Sequence, residues 1–452
     1  MQTLPFWGTS HLTSRNRATG QQLPLFQVIS YGLPGLPIAG ASLPLFILVP
    51  PLYSQSFGMN LTLIASILIG VRIIDALSDP IIGVLSDKIE TRWGLRKPWI
   101  AAGTPFLMIS LYKVLVPPVE PTITYLLFWS IALTLSWTCL VLPYTAWGSE
   151  LSTSYNERTR ITSSREGSTV LGTLIIAAFP AILTSLGHTE LTVHTKGIAI
   201  FVVVFLPITV VLALWATGPG IHKPHQSMPF KQSFSLVIQN RPFRTLVSCY
   251  FLNSLANAIP ATLFIFYVSY ILEQPHTYGY LLLLYFAAAL VGIPFWFTLS
   301  TLIGKHRAWS IAMSIAIAAF VWTPFLRGPS DLPFFVGIVI FTGLTLGADL
   351  ILPPAMQADV IDIDRERSNM ERAGLFFALW GITTKMALGL SAGFALIVLS
   401  YVGFDPQLSE QGTQQTSRAL LTLSVLYGLV PAFLKLLSVF LVRNYVEPLP
   451  IQ

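Results

Sequence analysis

Charge is scarce in this sequence. Of its 452 residues only 10% are Asp, Glu, Lys or Arg, while 53% are apolar; a typical soluble domain carries about 25% charged residues. So few charges cannot coat a water-soluble particle of this length, and a mean hydropathy of +0.68 agrees. A purely aqueous protein, a secreted scaffold and a nucleic-acid binder are all disfavoured. Cysteine is nearly missing: Cys139 and Cys249 both fall in apolar runs, so neither a disulfide framework nor a Cys/His metal spacing is available. The seven histidines fall between the apolar runs, which predicts no histidine proton relay at membrane depth. His222 and His225 flank Lys223-Pro224, too few ligands for a structural metal site. No Gly-x-x-x-x-Gly-Lys-Ser/Thr loop occurs, and neither a nucleotide nor a redox cofactor is expected. The first 23 residues are polar, carry Arg15 and Arg17 and lack a small-residue cleavage site, so no removable signal peptide is expected.

What the chain has is long apolar runs. A bilayer-spanning helix needs roughly 20 mostly apolar residues. Twelve runs qualify: 24–52, 59–86, 99–116, 122–147, 167–186, 197–217, 245–271, 278–302, 308–325, 332–358, 373–401 and 419–441. The distribution of Lys and Arg tests this map, because cytoplasmic loops collect them. With the N-terminus inside, 19 of the 26 basic residues fall in inside segments and 3 outside, the remainder being Arg72, Lys113, Lys385 and Lys435 within spans. Both termini are therefore expected on the cytoplasmic side of a cell membrane. The longest break, rich in proline and basic residues, separates six spans from six. The expected architecture is an all-α integral membrane protein, with a six-helix bundle over 1–217, a linker over 218–244 and a second bundle over 245–452. Two such halves are a common transporter plan.

Charges at membrane depth are functional candidates by default. The second span reads Arg72-Ile-Ile-Asp75-Ala-Leu-Ser-Asp79-Pro80. Asp75 and Asp79 are four apart, so they stack on one helical face. Two adjacent carboxylates repel in low dielectric, and a bound cation or shared proton relieves this. Pro80 frees the carbonyl of Ala76, a further oxygen for a hard cation such as sodium. The bland alternative is that Arg72 merely neutralises Asp75. Lys385 is a lone cation midway through the eleventh span; it is expected to pair with the two acids, unless it snorkels to an interface. Asp349 precedes Pro353-Pro354 in the tenth span, a pattern that suggests a broken helix at a binding site; it could touch substrate or pair with a neighbouring helix. Glycine and proline also interrupt the first span. At the cytoplasmic ends, Glu150, Arg158, Asp359, Asp362 and Arg372 suit salt bridges that close the mouth in one conformation, or plain solvated loop charge. Arg165, at the start of the fifth span, could enter the cavity.

These blocks resemble the glycoside–pentoside–hexuronide:cation symporter family, the melibiose-carrier branch of the major facilitator superfamily. The resemblance rests on Arg72 to Gly83 with Asp87, Arg92, Gly94 and Lys97-Pro98-Trp99. It continues through Pro143-Tyr144, Glu150, Glu157-Arg158-Thr159-Arg160 and Arg165, and ends on Ala358-Asp359-Val360-Ile361-Asp362, Gly374-Leu375-Phe376-Phe377 and Lys385. It implies the major facilitator fold, with the coupling cation held at Asp75 and Asp79 near Thr138 and Lys385. It implies substrate contacts at Arg165 and Trp137; Asp349 and Lys385 are further substrate candidates, and Asp87 and Arg92 are expected to join the cytoplasmic gate. The family's sugar carriers hold hydroxyls with acids on the first and fourth helices. Here no acid occurs from Leu23 through Phe57, nor from Pro121 through Ser149, and Val141 stands about where the second acid would be. The family also resembles lysophospholipid carriers, which keep the cation pair around a more apolar cavity.

The expected function is therefore sodium- or proton-coupled symport of a sugar-like or related small organic substrate by alternating access, with a lysophospholipid or other amphipath as the alternative cargo. The expected partners are that substrate, the coupling cation and membrane lipid, with no nucleic acid; the protein is expected to be a monomer. A rival reading, a membrane-embedded prenyltransferase-like enzyme, would use Asp75/Asp79 and Asp359/Asp362/Asp364 for magnesium diphosphate. A passive channel or sensor is a second rival.

Overall fold

The computed structural model describes residues 22–89, 91–152, 155–218, 220, 237–368, 373–409, 415–443 and 445. Arg15, Arg17, Arg372, His222, His225 and most of the 218–244 linker lie outside the described residues, as do the side chains of Asp87 and Arg158.

Among the described residues the chain is helical apart from turns and one isolated bridge between Thr91 and Gly94. The first span is broken into α1 (Leu25–Gly32), α2 (Gly35–Ile47), α3 (Val49–Pro51) and a wide turn of π type at Leu52–Ser56. Then follow α4 (Leu61–Lys88), α5 (Lys97–Leu115), α6 (Ile123–Glu150), α7 (Tyr155–Ser185) and α8 (Leu191–Ala216). The rest comprises α9 (Arg241–Tyr270), α10 (Tyr278–Ile303), α11 (Lys305–Phe320), α12 (Leu332–Ser368), α13 (Ala373–Tyr401), α14 (Ser417–Ser424) and α15 (Val430–Arg443), with a π turn at Val425–Leu429 joining the last two. Eleven helical stretches among the described residues are long and apolar enough to cross a membrane, and the shorter apolar stretch Leu25–Ala41 lies in the first span.

Local chemistry accounts for the ends. Thr122 starts α6 by accepting the N–H of Tyr125, and Asn240 starts α9 by accepting that of Phe243, each satisfying one orphan donor. A single residue, Gly304, separates α10 from α11 at φ 92°, a conformation that glycine adopts without strain.

Three expectations need correction. Several helices outrun the apolar runs: α7 begins ten residues before Arg165, and α12 has 37 residues, or about 55 Å of helix. Hydropathy finds where a helix meets lipid, not where its hydrogen bonds stop. The tenth span is not broken at Pro353-Pro354; α12 runs through both. Its register is held instead by backbone-close packing on α10, where a Cβ at Gly292, Gly343 or Gly347 would meet a main-chain oxygen of the facing helix at 2.3–2.6 Å. Finally, His194 is not in a loop. It sits in the first turn of α8, fully buried, bonded to the Tyr278 hydroxyl and, through Nε2, to the carbonyl of His188 at 2.7 Å.

The chain divides into two compact units by contact. One holds the described residues of Met1–Pro44, Ile74–Ile176 and Thr195–His225; the other holds those of Leu45–Ile73, Ala177–His194 and Gln226–Gln452. In the first, α5 packs along α6, and α2 approaches α7 so closely that a Cβ at Gly172 would meet the Leu36 carbonyl oxygen at 2.1 Å. In the second, α10 and α11 pack on α12, and α9 lies against α13 and α15. Its buried centre includes Phe243, Trp296, Trp309, Met313, Met356 and Phe376.

The α2–α7 contact makes a test. Gly172→Ala should lower the melting temperature of the detergent-solubilised protein, since the clash is with backbone and overpacking of this kind costs about 1–3 kcal/mol. Gly167→Ala, where an added Cβ meets nothing within 4 Å, should leave it unchanged or raise it slightly. Equal melting curves for the two variants would remove the glycine contact as a constraint.

Candidate functional site

In the first unit, α4 carries Asp75 and Asp79 one turn apart. Asp75 is 1% exposed although the stretch around it is apolar enough to face lipid. Thr138 of α6, itself buried, donates its hydroxyl to Asp79 Oδ1 at 3.0 Å and lies 3.4 Å from Asp75 Oδ1. One hydroxyl thus spans both carboxylates. One oxygen from each carboxylate and a shared hydroxyl form a hard oxygen donor set of the kind that suits a cation with oxygen ligands. Trp137 precedes Thr138 on α6 and is half-buried. α4 continues through Pro80. Among the described residues there is no group of three or more His, Cys, Asp and Glu able to hold a metal ion, so any cation bound here would rest on this pair and its neighbouring oxygens.

Arg72, a turn before Asp75, belongs to the second unit and lays its side-chain stem over Gly389 of α13; a Cβ there would meet Arg72 Cγ at 2.6 Å. Lys385 is four residues before Gly389, on the same face of α13, and is half-buried.

Arg165 is 17% exposed and bonds the adjacent Glu166 through Nη2 at 2.6 Å and Nε at 3.2 Å. Beside this stretch α1 and α6 are tied reciprocally: the Tyr31 hydroxyl donates to the Tyr144 carbonyl at 3.0 Å, and the Tyr144 hydroxyl to the Tyr31 carbonyl at 2.5 Å. Their rings pack at 4.9 Å, and Trp147 meets Tyr31 edge-on. The aromatic wall next to Arg165 is therefore fixed by both packing and hydrogen bonds.

At the helix ends, Glu150 accepts from Arg96 Nη2 at 2.7 Å and Nε at 2.9 Å, while Arg96 Nη1 donates to Ser86 Oγ at 2.9 Å. This buried cluster joins α4, α5 and α6 inside one unit. Lys97 donates to the carbonyls of Leu214 and Thr217 at 2.7 and 2.6 Å, satisfying orphan acceptors at the end of α8. Arg92 is exposed beside the Trp93 ring. In the second unit, Lys305 holds both oxygens of Asp359 at 2.7 Å, and Asp362 is exposed. Glu150 and Asp359 thus each take a partner from their own unit.

Asp349, with its side chain 8% exposed, stands in a cluster of its own. Trp309 Nε1 donates to its Oδ1 at 2.7 Å, Asn257 Nδ2 to its Oδ2 at 2.8 Å, and Lys435 Nζ lies 3.4 Å from Oδ2 while donating to Asn253 Oδ1 at 2.7 Å. Lys435 is 1% exposed. Of the two sequence readings for Asp349, pairing with neighbouring helices is what the structure contains. Lys435 and Asn257 also line a cavity of about 60 Å³ with Tyr285, Thr342, Thr345 and Tyr427, room for a few waters rather than an organic solute. Sequence reasoning assigned no role to Lys435 or Arg96. The available signals were a lone lysine in the last span, and Asn253 and Asn257 four apart on α9.

The family model described as MFS/sugar transport protein matches residues 30–446. The sodium-dependent lysophosphatidylcholine symporter 1 of Mus musculus is 27% identical over 94% of this chain and 86% of its own length. The sphingosine-1-phosphate transporter MFSD2B of Xenopus tropicalis is 26% identical over 82% of this chain and 78% of its own. The inner membrane symporter YicJ of Escherichia coli (strain K12) is 26% identical over 87% and 85%. Among solved structures, an inward-facing, unoccupied bacterial homologue of the human lysosomal transporter Spinster superposes with a TM-score of 0.64 at 14% identity, covering 93% of this chain and 95% of that one. The nucleoside transporter NupG gives 0.62 at 13% identity, covering 93% and 99%. At such identities the two structures speak to fold alone.

The Asp349 cluster makes a prediction of its own. Lys435→Met should leave a buried carboxylate without its countercharge, a loss of about 3–5 kcal/mol, read as a lowered melting temperature. Adding Asp349→Asn should recover much of it. An unchanged melting temperature in Lys435→Met alone would show that the pair carries no stability.

Proposed function

This chain belongs to the MFS/sugar transport protein family, and from that premise we propose how it works and what it carries. It is a multi-pass membrane transporter with the major facilitator fold, and cation-coupled symport is the function its site supports best. The observation that carries this is the convergence of Asp75, Asp79 and the Thr138 hydroxyl within 3.4 Å. Relatives named as sodium-dependent symporters support the same reading. The site holds Na+ or H+; Lys385 competes with that ion for negative charge, so ion binding and release are tied to the conformational cycle. One charge crossing a membrane potential of about 100 mV supplies about 2.3 kcal/mol, enough for roughly fifty-fold accumulation. Transport then needs no nucleotide or redox cofactor, and the protein acts as a carrier rather than an enzyme. Both termini face the cytoplasm in this reading, the six-span halves 1–217 and 245–452 rock about the linker 218–244, and the protein works as a monomer without nucleic acid. Asp87, Arg92, Glu150, Arg158, Asp359, Asp362 and Arg372 serve the cytoplasmic gate.

For the cargo, a sugar- or glycoside-like solute held at Arg165, Trp137, Asp349 and Lys385 is one reading. A lysophospholipid or related amphipath is the second, and a specific observation favours it. The first and fourth spans lack the acids that would bind sugar hydroxyls, and relatives at 26–27% identity are named for lysophosphatidylcholine and sphingosine-1-phosphate.

The deciding experiment is uptake in proteoliposomes under an imposed sodium or proton gradient, with sugars and lysolipids screened side by side. Asp79→Asn should abolish gradient-driven accumulation while leaving some substrate binding, and Lys385→Ala should lose coupling. Wild-type concentrative uptake by Asp79→Asn would sink the ion site, and an intact ion-to-substrate ratio in Lys385→Ala would remove that residue from the mechanism.

A further inference from the structure

A second binding feature lies away from the acid pair, within the second unit, where α11 ends and α12 begins. Ile315, Ala318, Ala319, Gly337, Ile338 and Phe341 form the floor and sides of a groove of about 510 Å³, with Trp322, Phe325, Leu326 and Phe334 at its loop end. That volume falls in the range of ligand pockets, about 300–1,000 Å³. Apolar residues facing lipid are ordinary in a membrane protein; a concave apolar surface of this size is not explained by lipid exposure alone. The floor is low because small residues occupy it, and the rim is high because Phe325 and Phe334, each 70% exposed, and Trp322, 64% exposed, stand around it.

The loop that closes the groove is anchored. Tyr267 donates its hydroxyl to the Thr323 carbonyl at 2.6 Å, and the Gly328 N–H donates to the Ile271 carbonyl at 2.8 Å. Between these points, directly after the groove residue Leu326, stands Arg327. Its backbone N–H donates to Asp331 Oδ2 at 2.6 Å, which occupies that carboxylate oxygen with main chain, and the Arg327 side chain is exposed. The loop at the end of the apolar trough therefore carries an exposed arginine, one residue beyond the lining Leu326, among aromatic side chains of the kind that collect at membrane–water boundaries. Guanidinium suits phosphate, which it binds by charge-assisted hydrogen bonds.

We propose that this groove holds one acyl chain of a phospholipid from the surrounding membrane, with the lipid phosphate at Arg327. The lipid is a resident of the fold rather than the transported cargo. The proposal rests on the chain spanning a membrane but not on coupling or on the cargo; with cytoplasmic termini the lipid belongs to the outer leaflet.

The test uses full-length protein in phosphatidylcholine vesicles without an ion gradient. One probe is a phosphatidylcholine bearing a photoreactive diazirine near the end of one chain; the other is a diacylglycerol with the same chain and no phosphate. The phospholipid probe should label residues 315–341 above other lipid-facing helices. Gly337→Trp projects into space where an added Cβ meets nothing within 4 Å, so it should fold and should strongly reduce labelling by both probes. Arg327→Gln should reduce labelling by the phospholipid about tenfold, the worth of a hydrogen bond between charged groups, and leave the diacylglycerol unaffected. Uniform labelling of all lipid-facing helices, or equal labelling in wild type and Gly337→Trp, would overturn the proposal. So would cross-links from these residues to a second copy of the chain, which would make the groove an interface. An inactive transporter that still labels here would leave this inference standing while the transport reading failed.

Discussion

Two carboxylates stacked one turn apart inside an apolar helix are the constraint around which the rest is arranged. Burial disfavours a charge, and a second like charge beside it disfavours it further. Asp75 and Asp79 are nonetheless there, and α6 has placed the hydroxyl of Thr138 against both. A hydroxyl can hydrogen-bond either carboxylate without bringing a charge of its own. The stem of Arg72, a turn earlier on α4, lies over Gly389 of α13.

The other buried charges are treated in the opposite way. Arg96, Glu150 and Ser86 form a closed set, as do Lys435, Asp349, Asn253, Asn257 and Trp309. Each carboxylate has its opposite charge within the same compact unit, and both oxygens of Asp349 have donors. Such clusters fasten neighbouring helices to one another. Lys97 does the same for the end of α8, and the Tyr31–Tyr144 exchange does it for α1 and α6. Within each unit these contacts tie neighbouring helices, and in the first unit they surround the helices that carry the acid pair.

Much of this was legible from the chain alone, because lipid simplifies the problem. A run of 20 apolar residues has few structural options, so the spans and the acid pair stood out. Thr138 did not; nothing in a threonine inside a span marks it, and only the family resemblance pointed there. The partners of Asp349 were hidden for another reason. Lys435 is 86 residues away, and a lone lysine in an apolar run does not say which helix it faces. The helix ends were misplaced where charged sequence stays helical, as in α12 beyond Ala358. His194 went astray similarly: it lies in a polar stretch, yet α8 starts early enough to bury it.

That histidine has a consequence for how two distant helix starts are held. Its bond to Tyr278 joins residues 84 positions apart, one at the start of α8 and one at the start of α10. Any state in which those two helix starts separate must forfeit a buried hydrogen bond, worth about 1–3 kcal/mol when its groups are left unpaired. That shifts an equilibrium by roughly five- to more than a hundredfold. The contact therefore favours arrangements in which the two helix starts stay together.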